Sequence, residues 1–283
     1  MAHMGRHYER RTFLKLALTS AGVLLSGQAS CLQAGPLPPG ATESRFERTP
    51  SQTMQPVEQT TDGRAVVAIV RGDDPAATVR QAVSLAGGFG QVVHRGDTVL
   101  VKPNLTIPSA SGLGNVTDSR VVQATIELCQ EAGASRVQVG DGCGGDDTEA
   151  IMRQAGYGPV LEATGATFVD FNRDDIVTLY SDNPLGLPEY YIDRIAAEAP
   201  VLFSLAVLKV HNEAIVSLAC KNLVGITARK VYGSPRQRLH DAGSQRVIAD
   251  LVRLRTPDFA VIDGTVGLEG DSPMHGTPVP WAL

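Results

Sequence analysis

Val201-Leu202-Phe203-Ser204-Leu205-Ala206-Val207-Leu208 runs without a break into Lys209-Val210-His211. An apolar run this long and this rich in Val and Leu reads as a strand buried on both faces, the pattern of a parallel α/β sheet. Three shorter runs share the form: Thr98-Val99-Leu100-Val101, Arg136-Val137-Gln138-Val139 and Phe259-Ala260-Val261-Ile262. Each stops at polar or glycine-rich chemistry: Lys102-Pro103-Asn104, Gly140-Asp141-Gly142-Cys143-Gly144-Gly145 and Asp263-Gly264. In a mostly parallel sheet flanked by helices, the carboxyl ends of the strands point one way and ligands bind in the crevice there. Lysines, carboxylates and a histidine from four distant segments are therefore expected to line one cleft at that edge.

The rest of the chain fits the same fold class. Ala65 to Val70 reads as a first strand. Asp74-Pro75 is an N-cap followed by proline at the first helical position, opening a helix through Leu85. Thr117-Asp118 opens another, with Val121, Val122, Thr125, Ile126 and Cys129 at helical spacing and a stop at Gly133. Ala166 to Phe171 is a further strand. Asp174 to Tyr191 is less regular, a surface excursion or a short hairpin. Ala214 to Leu223 reads as an apolar helix, Arg229 to Gly243 as a basic loop, and Gln245 to Leu254 as a helix. Asp263 to Pro278 carries so much Gly and Pro that a fixed, irregular loop is expected there.

Ahead of this α/β domain (63–283) lie two segments of other character. Residues 1–33 contain Glu9-Arg10-Arg11-Thr12-Phe13-Leu14-Lys15 and then a mildly apolar stretch from Leu16 to Leu25. That is the pattern of a twin-arginine export signal, too short to span a bilayer as a permanent helix. It implies the twin-arginine translocase as partner and the periplasm or cell envelope as destination. Cys31 is a candidate lipidated residue, although Gln28 stands where a lipoprotein signal prefers Leu. Residues 34–62, rich in Pro, Gly, Ser, Thr and Gln, read as a flexible linker.

Composition excludes several functions. A net charge of -5 lacks the basic stripe of a nucleic-acid binder, and 5% aromatic residues are too few for a base-stacking platform. No two of the four cysteines are spaced Cys-x-x-Cys, so no iron–sulfur or zinc-ribbon motif is encoded. Cys129 and Cys220 read as small core residues, and Cys143 as the accessible thiol.

The candidate site divides by charge. Lys102, Lys209 and Lys221, with Asn104 and Asn222, suit a carboxylate or phosphate ligand. Asp118, Asp141, Asp263 and Glu269 supply carboxylates; Lys209, His211 and Asp263 are the candidate catalytic groups. His211, His240 and Asp141 form a speculative divalent-metal set. Read singly, Lys209 and His211 are better explained by a lysine snorkelling from a strand end and a helix-capping histidine. Gly140-x-Gly142-x-x-Gly145, with Asp170 as ribose acceptor, has the form of a dinucleotide fingerprint. Asp141, Asp146, Asp147 and Glu149 crowd the place of the pyrophosphate and oppose it.

Together the motifs resemble one bacterial and archaeal family, the domain of unknown function 362 (DUF362). The residues that carry the resemblance are Val99 to Leu105, Thr117-Asp118, Glu131 to Ala134, Gly140-Asp141-Gly142, Lys209-x-His211, Cys220-Lys221-Asn222-Leu223-x-Gly225, His240, and Ile262-Asp263-Gly264 with the Gly-Pro loop after it. The similarity spans about residues 65–280. Members of this family are often joined to ferredoxin-type iron–sulfur modules, whose cysteines this chain lacks. They usually continue past the final motif, so truncation at Leu283 is expected. The resemblance implies a fold and a site and no established reaction. The leading expectation is an exported enzyme that binds a small anionic molecule, with a divalent metal as candidate cofactor. The rivals are a non-catalytic accessory protein for a redox (iron–sulfur) partner and a dinucleotide-binding oxidoreductase.

Overall fold

The computed structural model describes residues 65–283 except Asp146, Asp174 and Met274. The signal region, the linker and Cys31 lie outside the described residues. In chain order the elements are α1 (Pro75–Leu85), β1 (Thr98–Lys102), α2 (Ser119–Glu131), β2 (Arg136–Asp141), α3 (Thr148–Gln154), α4 (Tyr157–Thr164), β3 (Thr167–Asp170), β4 (Ile176–Tyr180) and β5 (Glu189–Asp193). They continue with α5 (Arg194–Glu198), β6 (Val201–His211), β7 (Ile215–Ser217), α6 (Ala219–Asn222), α7 (Arg229–Tyr232), α8 (Gln237–Asp241), α9 (Ser244–Leu254), β8 (Phe259–Asp271) and β9 (His275–Pro280).

The main sheet runs β3-β2-β1-β6-β8-β9, with β7 added to β6. The pairings from β3 through β8 are parallel, while β8–β9 and β6–β7 are antiparallel. The fold is α/β, as its apolar runs foretell. Alternate residues of each run feed two cores. Val99, Val101, Phe203 and Leu205 meet Val121, Val122 and Ile126 of α2 on one face. Leu100 and Leu202 meet Leu223, Val247 and Leu251 on the other. Both faces being covered is why these strands are apolar throughout.

The strand order reverses between β1 and β6, and in such sheets the reversal marks the ligand crevice. Lys102 ends β1 and pairs with Ser204, so β6 runs on beyond its neighbour toward Lys209 and His211. The helix starts are as read: Asp74 accepts from the Ala76 and Ala77 amides, and Asp118 from that of Arg120. The irregular stretch after Asp174 contains the antiparallel hairpin β4–β5.

Four elements differ from expectation. Residues 66–70 form no strand, and Val67 (75% exposed) and Ile69 (65%) face solvent, so burial does not hold that segment in the sheet. Ala214 to Leu223 is not one helix; Ile215–Ser217 pairs back onto β6, and helical structure begins only at Ala219–Asn222, continuing as a 3-10 turn over Leu223–Ile226. The basic loop contains the short helices α7 and α8. The Gly-Pro stretch is the β8–β9 hairpin, where ladder bonds override composition.

Candidate functional site

Lys102 and Asp141, the last residues of β1 and β2, form an ion pair of 2.6 Å. Lys102 Nζ also donates to the Pro103 carbonyl and to Asn222 Oδ1, both at 3.0 Å. Asp141 accepts from the Leu105 amide at 2.7 Å and the Gly142 amide at 2.8 Å. Both charges are thus fully occupied, as buried ions must be. Burial still pushes the Lys102 pKa down, with Asp141 opposing. Gly225 lies on this pair: a Cβ there would collide with Asp141 Oδ1 and stand 2.8 Å from Lys102 Nζ. No side chain fits that position.

Lys209 is held in the same way. Its Nζ donates to Asn104 Oδ1 at 2.6 Å, the Asn115 carbonyl at 3.1 Å and Thr106 Oγ1 at 3.4 Å. Asn104 Nδ2 donates to Asn222 Oδ1 at 3.2 Å, tying the two lysines into one network. Asn222 in turn donates to the Lys102 carbonyl and Ser204 Oγ, both at 3.1 Å, and so plugs the β1–β6 crevice. Lys102 and Lys209 are each 1% exposed. Burial, reinforced by the charge of Lys221, pushes Lys209 down to about 7.

Asp263 serves a different joint. Its Oδ2 accepts the Asp118 amide at 2.8 Å, and its Oδ1 accepts from Thr265 N at 3.0 Å and Thr265 Oγ1 at 2.7 Å. It latches β8 to the start of α2, and burial pushes its carboxyl up. Asp118 is spent on the α2 N-cap and on Arg120, at 2.8 Å. Glu269 sits in the β8–β9 hairpin opposite Thr277, and its side chain makes no hydrogen bond or ion pair among the described residues.

A second group lies outside this buried core. The His211 and His240 rings stack, 6.3 Å apart and 14° from parallel. His240 Nδ1 contacts Glu213, and Ser244 Oγ donates to the same Glu213 oxygen at 3.0 Å. Lys221 is half-buried, and its side chain makes no hydrogen bond or ion pair among the described residues. Burial pushes it down to about 8, with Glu213 opposing and Arg236 and Lys102 adding to the shift. A shallow pocket beside it is lined by Lys221, Val224, Leu239, His240, Ser244 and Val247, among others.

The profile of the family described as Domain of unknown function (DUF362) matches residues 99–283. The chain belongs to the DUF362 family. Thylakoid-associated protein sll1697 of Synechocystis sp. is 29% identical over 208 residues, covering 71% of this chain and 62% of that protein. Two solved structures are similar at 12% identity and a TM-score of 0.47: a protein from Thermotoga maritima and the lactate racemase apoprotein from Thermoanaerobacterium thermosaccharolyticum. The matches cover 74% and 83% of this chain and 55% and 56% of theirs. The DUF362 chain thus spans less than two thirds of the length of each protein it matches here.

Within this DUF362 domain the expected residues meet, with corrections. Lys102, Asn104, Asp141, Lys209 and Asn222 converge, but as a sealed network and not as the lining of a cleft. The candidate metal set does not come together. Asp141 is saturated by Lys102 and two amides, and His211 Nδ1 is taken by the Glu213 and Ala214 amides. Among the described residues no group of three or more His, Cys, Asp or Glu side chains is arranged to hold a metal ion. A divalent metal does not fit these residues.

The glycine loop is also filled from within. A Cβ on Gly142 would stand 2.7 Å from both Arg236 Nη2 and the Gly225 carbonyl. Asp147 caps α3 through the Ala150 amide, and Asp170 accepts from Thr148 Oγ1 at 2.8 Å and the Asn172 amide at 2.9 Å. Pyrophosphate and ribose would find their places taken. Cys143 is buried and Cys220 exposed, the reverse of their expected roles. Arg236 escaped the sequence reading. It is buried, and its guanidinium donates to the Thr227 and Cys143 carbonyls and to Asn172 Oδ1. Nothing in the basic loop distinguishes it from Arg229 or Arg238. Glu213, in the turn just before the expected helix Ala214 to Leu223, escaped as well.

Proposed function

We propose that this is an exported binding protein for a small oxyanion, a carboxylate or phosphate group, with Lys221 as the anchoring cation. The observation that carries the reading is the charge balance at the sheet edge. Lys102, Lys209, Lys221 and Arg236 crowd one another electrostatically, while Asp141 offsets Lys102, Lys209 and Arg236, Asp170 adds to it at Arg236, and Glu213 acts on Lys221. Lys102 is paired, Lys209 has three oxygen acceptors, and Arg236 is bonded to carbonyls. The Lys221 ammonium makes no hydrogen bond or ion pair among the described residues, Glu213 acts on it only at a distance, and a half-buried ammonium so placed favours an anion from solution.

The test is a thermal and calorimetric titration of the full chain with acetate and with inorganic phosphate, alongside Lys221→Gln. A ligand that binds only the native state at ~100 times its Kd stabilises by about 2.7 kcal/mol. Wild-type protein should show such a shift and Lys221→Gln should lose it, with an unliganded Tm no lower than that of the wild type. Equal shifts in both proteins would remove Lys221 from the site.

A further inference from the structure

His211 closes β6, and the turn after it folds back toward its ring. Nδ1 accepts from the Glu213 amide at 3.2 Å and from the Ala214 amide at 3.3 Å. Two N–H groups aimed at one ring nitrogen require a lone pair there. A proton on Nδ1 would set one donor against two others. The neutral ring must therefore carry its proton on Nε2.

The surroundings oppose a second proton. Lys209 of the same strand, Lys221 of α6 and His240 of α8 act against a positive ring, and Glu213 of the turn acts for it. Glu213 is itself engaged by His240 and Ser244. Burial is the largest influence, and together these push His211 down to about 3. The ring is thus neither a proton acceptor at ordinary pH nor a metal ligand through Nδ1. What it has left is one N–H of fixed direction.

We propose that His211 orients the bound anion by donating its Nε2–H to a ligand oxygen, beside the Lys221 ammonium. The role rests on the anion-binding reading above. Lys221 supplies charge and His211 supplies direction, and both are donors without an acceptor to offer. The pair therefore selects groups whose oxygens only accept, carboxylate or phosphate, over ammonium or metal-ion ligands. A neutral donor also keeps its proton through the range in which an ordinary histidine titrates.

The test is long-range proton–nitrogen NMR on the full chain with imidazole-labelled histidine, His211 being assigned by its loss in His211→Gln. In the free protein His211 should be Nε2-protonated and unchanged from about pH 5 to about pH 8. Acetate or inorganic phosphate should move that Nε2–H signal. His211→Asn keeps an oxygen near the Nδ1 position for the two amides and draws the remaining N–H donor back from the Nε2 position to near Cδ2, short of the ligand oxygen. It should melt like the wild type and bind the probes about tenfold more weakly. An Nδ1-protonated ring, a titration near the ordinary histidine value, or unchanged affinity in His211→Asn would overturn the proposal. If the probes bind and the signal stays still, the role of His211 falls and the anion site stands. If neither probe binds wild-type protein, the anion site falls and the role of His211 with it.

Discussion

Lys209 and Lys221 lose their protons at lower pH than surface lysines do, and this fixes a pH dependence. Their folded values, about 7 and about 8, lie below the ordinary 10.5. Between those values and the ordinary one, the unfolded chain binds the extra protons, so stability rises with pH across the window. Below about 7 both groups are charged in both states, and the cost of holding them in the fold is constant. In buffer free of carboxylate and phosphate, urea midpoints should therefore increase from neutral pH toward about pH 10. Lys221→Met should flatten the part of that rise above about pH 8. Anion affinity should run the other way, level at neutral pH and falling above about 8 as the Lys221 ammonium is lost. A midpoint that fell with pH across the window would show that neither ammonium is desolvated in the fold.

At the scale of elements, β6 supports both cores and both lysine-bearing groups. Leu205 is fully buried in its middle, between α2 and the sheet. Leu205→Ala should cost about 2–5 kcal/mol, read from urea melts, by removing apolar contact and leaving a cavity. The run from Val201 to Leu208 announced this strand because its burial is two-sided. The N-caps at Asp74 and Asp118 were legible too, since a carboxylate meeting exposed amides is a local event. The end of β6 was not. Lys209 and His211 read as surface residues past the apolar run, yet the strand continues through them because β7 folds back, pairing Lys209 with Ser217. The neighbouring β8 bulges as well: Val207 faces Asp263, but Lys209 faces Leu268. A three-residue strand that begins at Ile215, with φ of 69°, has no period to detect. Lys209 is sealed by partners distant in sequence, Asn104, Thr106 and Asn115, and only the fold brings them within reach. Polar strand ends thus foretold which residues meet at one edge of the sheet, while which groups are sealed and which face solvent depended on long-range closure.

The whole molecule sets a cation-rich sheet edge inside a chain of net charge -5. Lys102 and Asp141 come from strands separated by α2, and Lys209 and Lys221 from the far side of the strand-order reversal, so the cluster exists only once the domain has folded. An anion bound there before export would be carried along only by a route that accepts folded cargo, as the twin-arginine route does. That ties the ligand reading to Arg10-Arg11, which lie outside the described residues, with Thr12, Phe13 and Leu14 following them. Replacing both arginines with lysine preserves the charge of the segment and leaves the folded domain untouched. A general secretory signal depends on positive charge and an apolar segment and should tolerate the change. A twin-arginine signal should not, because the guanidinium pair is what its receptor reads. Arg10→Lys with Arg11→Lys should therefore leave the protein in the cytoplasm in cell fractionation. The retained protein should show the same acetate or phosphate thermal shift as protein recovered from the periplasm, since only its address has changed. Export at the wild-type level would overturn the twin-arginine assignment, whatever the sheet edge binds.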